Sequence, residues 1–293
     1  LEEILNKTKI LVLGATGMAG HLIYLGLKEM PQFDVVGTTR KLIADASEGI
    51  YFDALEIDTY ASFFKNINSF DIIINCIGLL VNDCESDVYA AFTVNMCFPK
   101  VLEKHFETSE TKIIHLSTDC IFNGKKGGYL EDDRPDDLSM YGVSKAQGEL
   151  FLNGKDLTIR TSIIGPDIKS EGIGLFNWFM SIPQHGEIFG YQKAIWSGIT
   201  TTELLKVIIW SVDEEISGLY QVASSPISKY DMLCELNRVF EKGVKILPEN
   251  EKVVDKSLID SRQEYQISGN FHQMCQSMRR WIASHPNLYP HYL

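Results

Sequence analysis

Short, nearly uninterrupted apolar runs alternate with longer stretches in which apolar residues recur every three or four positions, and this alternation carries the first two-thirds of the chain. The runs Lys9–Leu13, Asp34–Thr38, Gly49–Phe52, Asp71–Asn75, Lys112–Leu116 and Leu157–Arg160 predict strands, several of them rich in Val and Ile. The helical spacing falls over about Met18–Met30, Asp87–Thr108 and Met140–Leu152. A further helix, Thr202–Val212, leads into a seventh strand at Leu219–Val222. Strands that are apolar throughout are buried on both faces, and strands separated by helices pair in parallel. The predicted fold is therefore α/β, a doubly wound parallel sheet.

After Gly165 the pattern loosens. Residues 165–190 hold aromatics among Gly and Pro, and residues 224–293 read as mainly helical with one strand near Gly243–Leu247. These two pieces are expected to form a small, mostly helical lobe. Residues 1–164 and 191–223 are expected to form the main domain.

Composition narrows the function classes. The 293 residues carry a formal net charge of −12, from 27 basic and 39 acidic residues, which argues against a nucleic-acid binder. No apolar run approaches the roughly 18–20 residues of a membrane span. The polar, acidic Leu1–Lys9 does not read as a signal peptide, so a cytoplasmic location is expected. The six cysteines form no Cys-x-x-Cys pair and read as reduced thiols, and the seven histidines form no ligand-spaced cluster, so no metal site is expected. His115, inside a strand, is expected to be a core residue with its hydrogen bonds satisfied.

Candidate chemistry begins where the first strand runs into Gly14-Ala15-Thr16-Gly17-Met18-Ala19-Gly20 and then a helix. Glycines three apart allow a tight turn and let backbone N–H groups approach a pyrophosphate at the helix N-terminus. This makes the main domain a dinucleotide-binding (Rossmann) domain, with Gly14, Thr16, Gly17 and Met18 in the phosphate loop. An acidic residue at the end of the second strand would mark NAD, but Asp34 begins that strand and stands at the wrong end. Thr38, Thr39, Arg40 and Lys41 stand at the right end, and Arg40 can pair with a 2′-phosphate. NADP(H) is therefore the expected cofactor, with NAD(H) the alternative. Asp53, ending the third strand, is placed for the adenine amine, and Cys76-Ile77-Gly78, ending the fourth, for flanking the cofactor with backbone.

Ser117-Thr118-Asp119 follows the fifth strand, and Tyr141-Gly142-Val143-Ser144-Lys145 comes after a polar loop. Residues i and i+4 share a helix face, so Lys145 can hold its ammonium near the Tyr141 phenol. A neighbouring cation stabilises phenolate and fits Tyr141 for proton transfer near neutral pH. Thr118 or Ser117 can hydrogen-bond a reacting carbonyl. The spacing alone is a weak signal, since Tyr24 and Lys28 share it inside the first helix. The order of glycine loop, hydroxyl-bearing strand end and Tyr-x-x-x-Lys carries the reading.

The run Ser117-Thr118-Asp119-Cys120-Ile121-Phe122-Asn123-Gly124, with Tyr129, Glu131, Asp132, Tyr141-x-x-x-Lys145, Gly148-Glu149 and Arg160-Thr161-Ser162, resembles the dTDP-4-dehydrorhamnose reductase family of extended short-chain dehydrogenases. The resemblance implies reduction of the 4-keto group of a nucleotide-linked deoxysugar, in deoxysugar and polysaccharide biosynthesis. It implies Tyr141 as proton donor, Lys145 on the nicotinamide ribose, and Thr118 and Asp119 on the sugar. In the family pattern Tyr follows Ser-Thr-Asp and a sugar-contacting Trp follows Arg-Thr-Ser. Here these are Cys120 and Ile163, so Ile163 is expected to face the sugar. A related 4-keto-6-deoxy or acetamido sugar on dTDP or UDP competes with dTDP-4-dehydrorhamnose. Trp178 and Trp196 offer stacking surface or simple packing, and Arg262 is a candidate for the substrate diphosphate. The non-catalytic regulatory subunit of methionine adenosyltransferase and nucleotide-sugar epimerases also resemble this family. A homodimer is compatible with all of these readings.

Overall fold

Ile10, Leu11, Val12 and Leu13 are all fully buried, so the first strand is covered on both faces, as an apolar run without alternation requires. The structure is a computed structural model, and it describes residues 7–40 and 49–292. Seven strands form the central sheet: β1 (Thr8–Leu13), β2 (Phe33–Thr39), β3 (Gly49–Tyr51), β4 (Ile72–Asn75), β5 (Lys112–Ser117), β6 (Leu157–Arg160) and, later in the chain, β11 (Gly218–Gln221). Their order is β11-β6-β5-β4-β1-β2-β3. β1 pairs in parallel with β2 on one side and β4 on the other. The order therefore reverses between β1 and β4, and in doubly wound folds the crevice beyond the strand C-termini at that reversal takes the ligand.

Successive strand side chains point to opposite faces, so Leu11, Leu13, Ile73 and Ile113 join one cluster. Phe52, Phe63, Phe64, Phe98, Leu102 and Phe106 pack on them. Phe52 and Phe63 stack with ring centres 3.8 Å apart.

The helix expected over Asp87–Thr108 runs Val88–Phe106 but is not uniform. α3 (Val81–Ser86) precedes it, and its two α segments, α4 (Val88–Phe92) and α5 (Phe98–Phe106), are joined by a π-helical turn, Thr93–Cys97. α1 (Met18–Lys28) and α2 (Tyr60–Asn66) lie earlier in the chain. α6 (Met140–Gln147) stops short of the expected Leu152. Beyond Gly148 the backbone N–H of Leu150 donates to Thr158 Oγ1 (3.0 Å) and that of Leu152 to Glu103 Oε1 (2.7 Å). These side-chain acceptors replace the helix ladder and pull the chain out of it.

The chain divides into two compact units. The first is Leu1–Ser117, Asp137–Ile159 and Ser211–Tyr220, and the second is Thr118–Asp136, Arg160–Trp210 and Gln221–Leu293. The second contains the parallel pair β7 (Ile163–Ile164) and β10 (Ile199–Thr200), and the parallel pair β8 (Glu187–Tyr191) and β13 (Lys245–Glu249). It also contains a three-stranded sheet in which β9 (Ala194–Trp196) lies between β12 (Ile227–Ser228) and β14 (Val254–Asp255). α7 (Leu175–Ser181) precedes the long helix α8 (Thr201–Asp213), and α9 (Lys229–Phe240) and α10 (Phe271–Ser284) follow. α10 begins with a capping box between Asn270 and Gln273. The short strands among these helices carry too few residues for a two-residue period to stand out in the sequence. Among the described residues no helix is long and apolar enough to cross a membrane.

A Cβ on Gly20 would lie 2.1 Å from the Gly14 carbonyl oxygen, so only glycine lets α1 start this close to the turn after β1. Gly20→Ala is expected to lower stability by about 1–3 kcal/mol, read as a shifted urea midpoint. A midpoint equal to that of the native chain would show that the turn yields freely.

Candidate active site

The glycine loop is fastened to the second strand. Gly14 N donates to Thr38 Oγ1 (3.0 Å) and Ala15 N to the Thr38 carbonyl (3.1 Å). Gly14 takes φ +76°, a left-handed conformation open to glycine. Gly17 is the N-cap of α1, where no side chain caps the helix and no acidic residue stands in the first turn. Thr16 and Met18 flank it. The first turn of α1 thus carries no carboxylate of its own, which fits an anionic pyrophosphate.

The expected cofactor-facing residues of the first unit divide into two sets. The first set converges: Cys76 N donates to the Leu13 carbonyl (3.1 Å), a Cβ on Gly14 would sit 3.1 Å from Ile77 Cγ1, and one on Gly78 would sit 3.9 Å from Lys145 Nζ. The second set lies at the ends of β2 and β3. Arg40 is exposed just beyond β2, near enough to Tyr51 for its charge to be felt. Asp34 pairs with Lys9 at the opposite strand ends, away from the loop. Asp53 uses Oδ1 to accept from Leu55 N (2.9 Å), so part of its carboxylate serves its own turn. Lys41 lies outside the described residues.

Lys145 is buried and held from its own helix and from β5. Ser139 caps α6 by accepting from Gly142 N (3.1 Å), placing Tyr141 and Lys145 one turn apart on one helix. Tyr141 is partly exposed and Lys145 is buried. Lys145 Nζ donates to the Leu116 carbonyl at the end of β5 (2.7 Å). Burial lowers the pKa of this amine to about 8, while the charge of Glu149 holds it up. Glu149 is itself buried and accepts from Ser117 Oγ (2.7 Å). The thiol of Cys76 is pushed by burial up to about 12, with the Lys145 charge acting in the other direction.

Two contributors were not singled out from the sequence. Asn95 sits in the π-helical turn, accepts from Leu79 N (2.8 Å) and donates to Ser144 Oγ (3.2 Å), binding the turn after β4 to α6. Its signal was an asparagine inside an apolar helical run, where it is a poor helix former. In the sequence Glu149 stands out only as part of the family pattern. His115 departs from its expectation: Asn75 Nδ2 pairs with Nδ1 (3.0 Å), but buried Nε2 has no partner among the described residues. Burial, then the charges of Lys145 and Lys100, keep its pKa well below the usual histidine range.

In the second unit, Thr118 caps the turn Asp119–Ile121. Its hydroxyl accepts from Cys120 N (3.1 Å) and donates to Asp119 Oδ1 (3.2 Å). Tyr129 stacks on Phe122 with ring centres 4.1 Å apart, and its hydroxyl accepts from the N–H groups of Gly124 and Lys126 (both 3.2 Å). Arg160 donates to the Glu131 carbonyl (3.0 Å), so this part of the motif shapes the loop. Ile163 pairs with Ile199 in the short β7–β10 ladder. Arg262, the candidate for the substrate diphosphate, donates through Nε to Glu264 Oε1 at 2.9 Å. Trp196 is buried edge-on to Phe271, and Trp178 is 42% exposed. Among the described residues no group of three His, Cys, Asp or Glu is placed to hold a metal ion.

Residues 8–166 match the family model described as the RmlD substrate binding domain. The chain is 31% identical over 238 residues, 76% of each chain, to a dTDP-4-dehydrorhamnose reductase from Aggregatibacter actinomycetemcomitans. It is 29% identical over 250 residues to a probable low-salt glycan biosynthesis reductase from Haloferax volcanii, covering 77% of this chain and 79% of that one. A solved dTDP-4-dehydrorhamnose reductase from Bacillus anthracis, in complex with NADP, superposes with a TM-score of 0.81 at 19% identity, covering 94% of this chain and 99% of that one, which establishes the fold.

The Glu149 charge should be legible in the Lys145 amine. Glu149→Gln is expected to move its titration, followed by NMR of isotopically labelled lysine, below about 8, because burial then acts with less opposition. A titration that stays in place would mean that the Glu149 charge does not reach Lys145.

Proposed function

This chain belongs to the dTDP-4-dehydrorhamnose reductase family, and on that premise we propose that it is an NADPH-dependent reductase of the 4-keto group of a nucleotide-linked deoxysugar. One observation carries the reading: the buried Lys145 amine stands beside the Cys76–Gly78 turn, with Tyr141 one helical turn away. The relatives named as reductases support it.

Gly14, Thr16, Gly17 and Met18 would hold the cofactor pyrophosphate, and Cys76–Gly78 would flank the cofactor with backbone. Asp53 would meet the adenine with its remaining acceptor capacity, and Arg40 the 2′-phosphate. Lys145 would hold the nicotinamide ribose. Reduction of a keto group takes one hydride and one proton, and NADPH when bound supplies the hydride. Tyr141 delivers the proton to the carbonyl oxygen, and the phenolate left behind is stabilised by the Lys145 charge. Thr118 turns its hydroxyl proton from Asp119 to the substrate carbonyl and orients it. Asp119 accepts from sugar hydroxyls, and Ile163 supplies apolar surface to the ring.

NADPH oxidation is to be followed spectrophotometrically against dTDP- and UDP-linked 4-keto sugars. Tyr141→Phe should lower kcat at least about 100-fold while leaving NADPH binding intact, and a fully active variant would sink the mechanism. Arg40→Ala should raise the KM for NADPH about tenfold and leave that for NADH unchanged. Equal effects on both cofactors would show that Arg40 does not meet the 2′-phosphate. NADPH binding with no oxidation across the panel would replace the reductase reading with that of a regulatory subunit.

A further inference from the structure

Lys229 is the first residue of α9, the positive end of the helix dipole, where a cation is disfavoured. Its ammonium lies 5.1 Å from the centre of the Trp196 ring. Among the described residues it has no hydrogen-bond or ion-pair partner. The sheet register explains its position. Ile227 pairs with Trp196 and Ser228 with Ile195 on one side of β9, and Val254 with Ala194 and Asp255 with Ile195 on the other. Just beyond these strands Lys229 meets the Trp196 ring, and Lys256 N donates to the Ile195 carbonyl (3.3 Å). Lys229 thereby shares one face with Trp196.

The loop after Thr118 lies on that face. Asp255 N donates to the Gly124 carbonyl (2.7 Å), and a Cβ on Gly124 would come within 2.3 Å of Val254. Asp119 is accordingly close enough to Lys229 for its charge to act on it, and Cys120 lies near both Lys229 and Lys256. Burial lowers the pKa of the Lys229 amine and the charge of Asp119 raises it. Asp119 forms no ion pair with Lys229, and its carboxylate accepts from Thr118 instead. The fold thus keeps a cation partly out of water, at the disfavoured end of a helix, with no counter-charge in contact. Such an arrangement costs stability unless a ligand supplies the anion.

We propose that Lys229, on the face it shares with Trp196, is an anion subsite for the substrate, taking a negatively charged oxygen group from the nucleotide diphosphate or from a carboxylate on the sugar. The proposal rests on the nucleotide-sugar reading above, and its test is a binding measurement that needs no turnover. dTDP, UDP, UDP-glucose and UDP-glucuronate are titrated calorimetrically into the protein saturated with NADPH, as the native chain, Lys229→Met and Lys229→Arg. Met keeps the packing on Trp196 and Arg keeps the charge.

With a diphosphate in the subsite, Lys229→Met weakens all four probes at least about tenfold and Lys229→Arg restores most of the loss. With a sugar carboxylate there, Lys229→Met weakens UDP-glucuronate alone by that factor. The proposal is overturned if all four probes bind both proteins within twofold, if Lys229→Arg loses as much as Lys229→Met, or if the native chain binds none of them. Turnover separates this from the reductase reading. Lys229-dependent binding without NADPH oxidation keeps the subsite and removes the reductase, whereas oxidation unaffected by Lys229→Met does the reverse.

Discussion

A buried ammonium must find acceptors, and Lys145 finds one in the Leu116 carbonyl near the C-terminal end of β5. That requirement ties together elements from distant parts of the sequence. β5 must end where α6 passes, α6 must be capped by Ser139 so that Lys145 faces inward, and Glu149 must be buried close enough to keep the amine charged. The Lys100 ammonium in turn donates to the Glu149 carbonyl and pairs with Glu103 at 3.2 Å. Each polar group is held by another, as burial in a low-dielectric interior demands.

Close approach of backbone elements is the second constraint. A Cβ on Gly148 would fall 1.9 Å from the Asn95 carbonyl oxygen, so α6 ends against the π-helical turn with no room for a side chain. The turn itself inserts an extra residue into the helix and thereby aims Asn95 inward, where it bonds both the turn after β4 and α6. The geometry around Lys145 therefore rests on a local departure from helical regularity. His115 has no such completion, and its unpartnered Nε2 leaves a neutral imidazole in the core beneath this network.

The two Tyr-x-x-x-Lys pairs show what spacing can and cannot say. Lys28 Nζ meets the Tyr24 hydroxyl at 3.3 Å, at an exposed position on α1. Lys145 forms its bond to a strand-end carbonyl and is buried. The surface pair meets in the open, whereas the amine of the other pair is the one taken out of water and lowered in pKa. The spacing is common to both, whereas burial is a property of the packed fold. Arg262 shows the same limit: guanidinium chemistry nominates it for a phosphate, and only the fold shows that Glu264, two residues away, accepts from its Nε.

By itself the sequence determined the order of strands and helices, the parallel sheet and the glycine turn, because unbroken apolar runs, helical periodicity and glycine are local signals. It also placed Tyr141, Lys145 and the Thr118 strand end in a meaningful order. Tertiary structure alone decided where the Met140 helix stops, which polar groups hold Lys145, and that Lys229 shares a face with Trp196 beside the Thr118–Gly124 loop. Those outcomes depend on which desolvated groups meet across large sequence separations. Pair spacing along a chain does not encode the loss of water that makes such meetings matter.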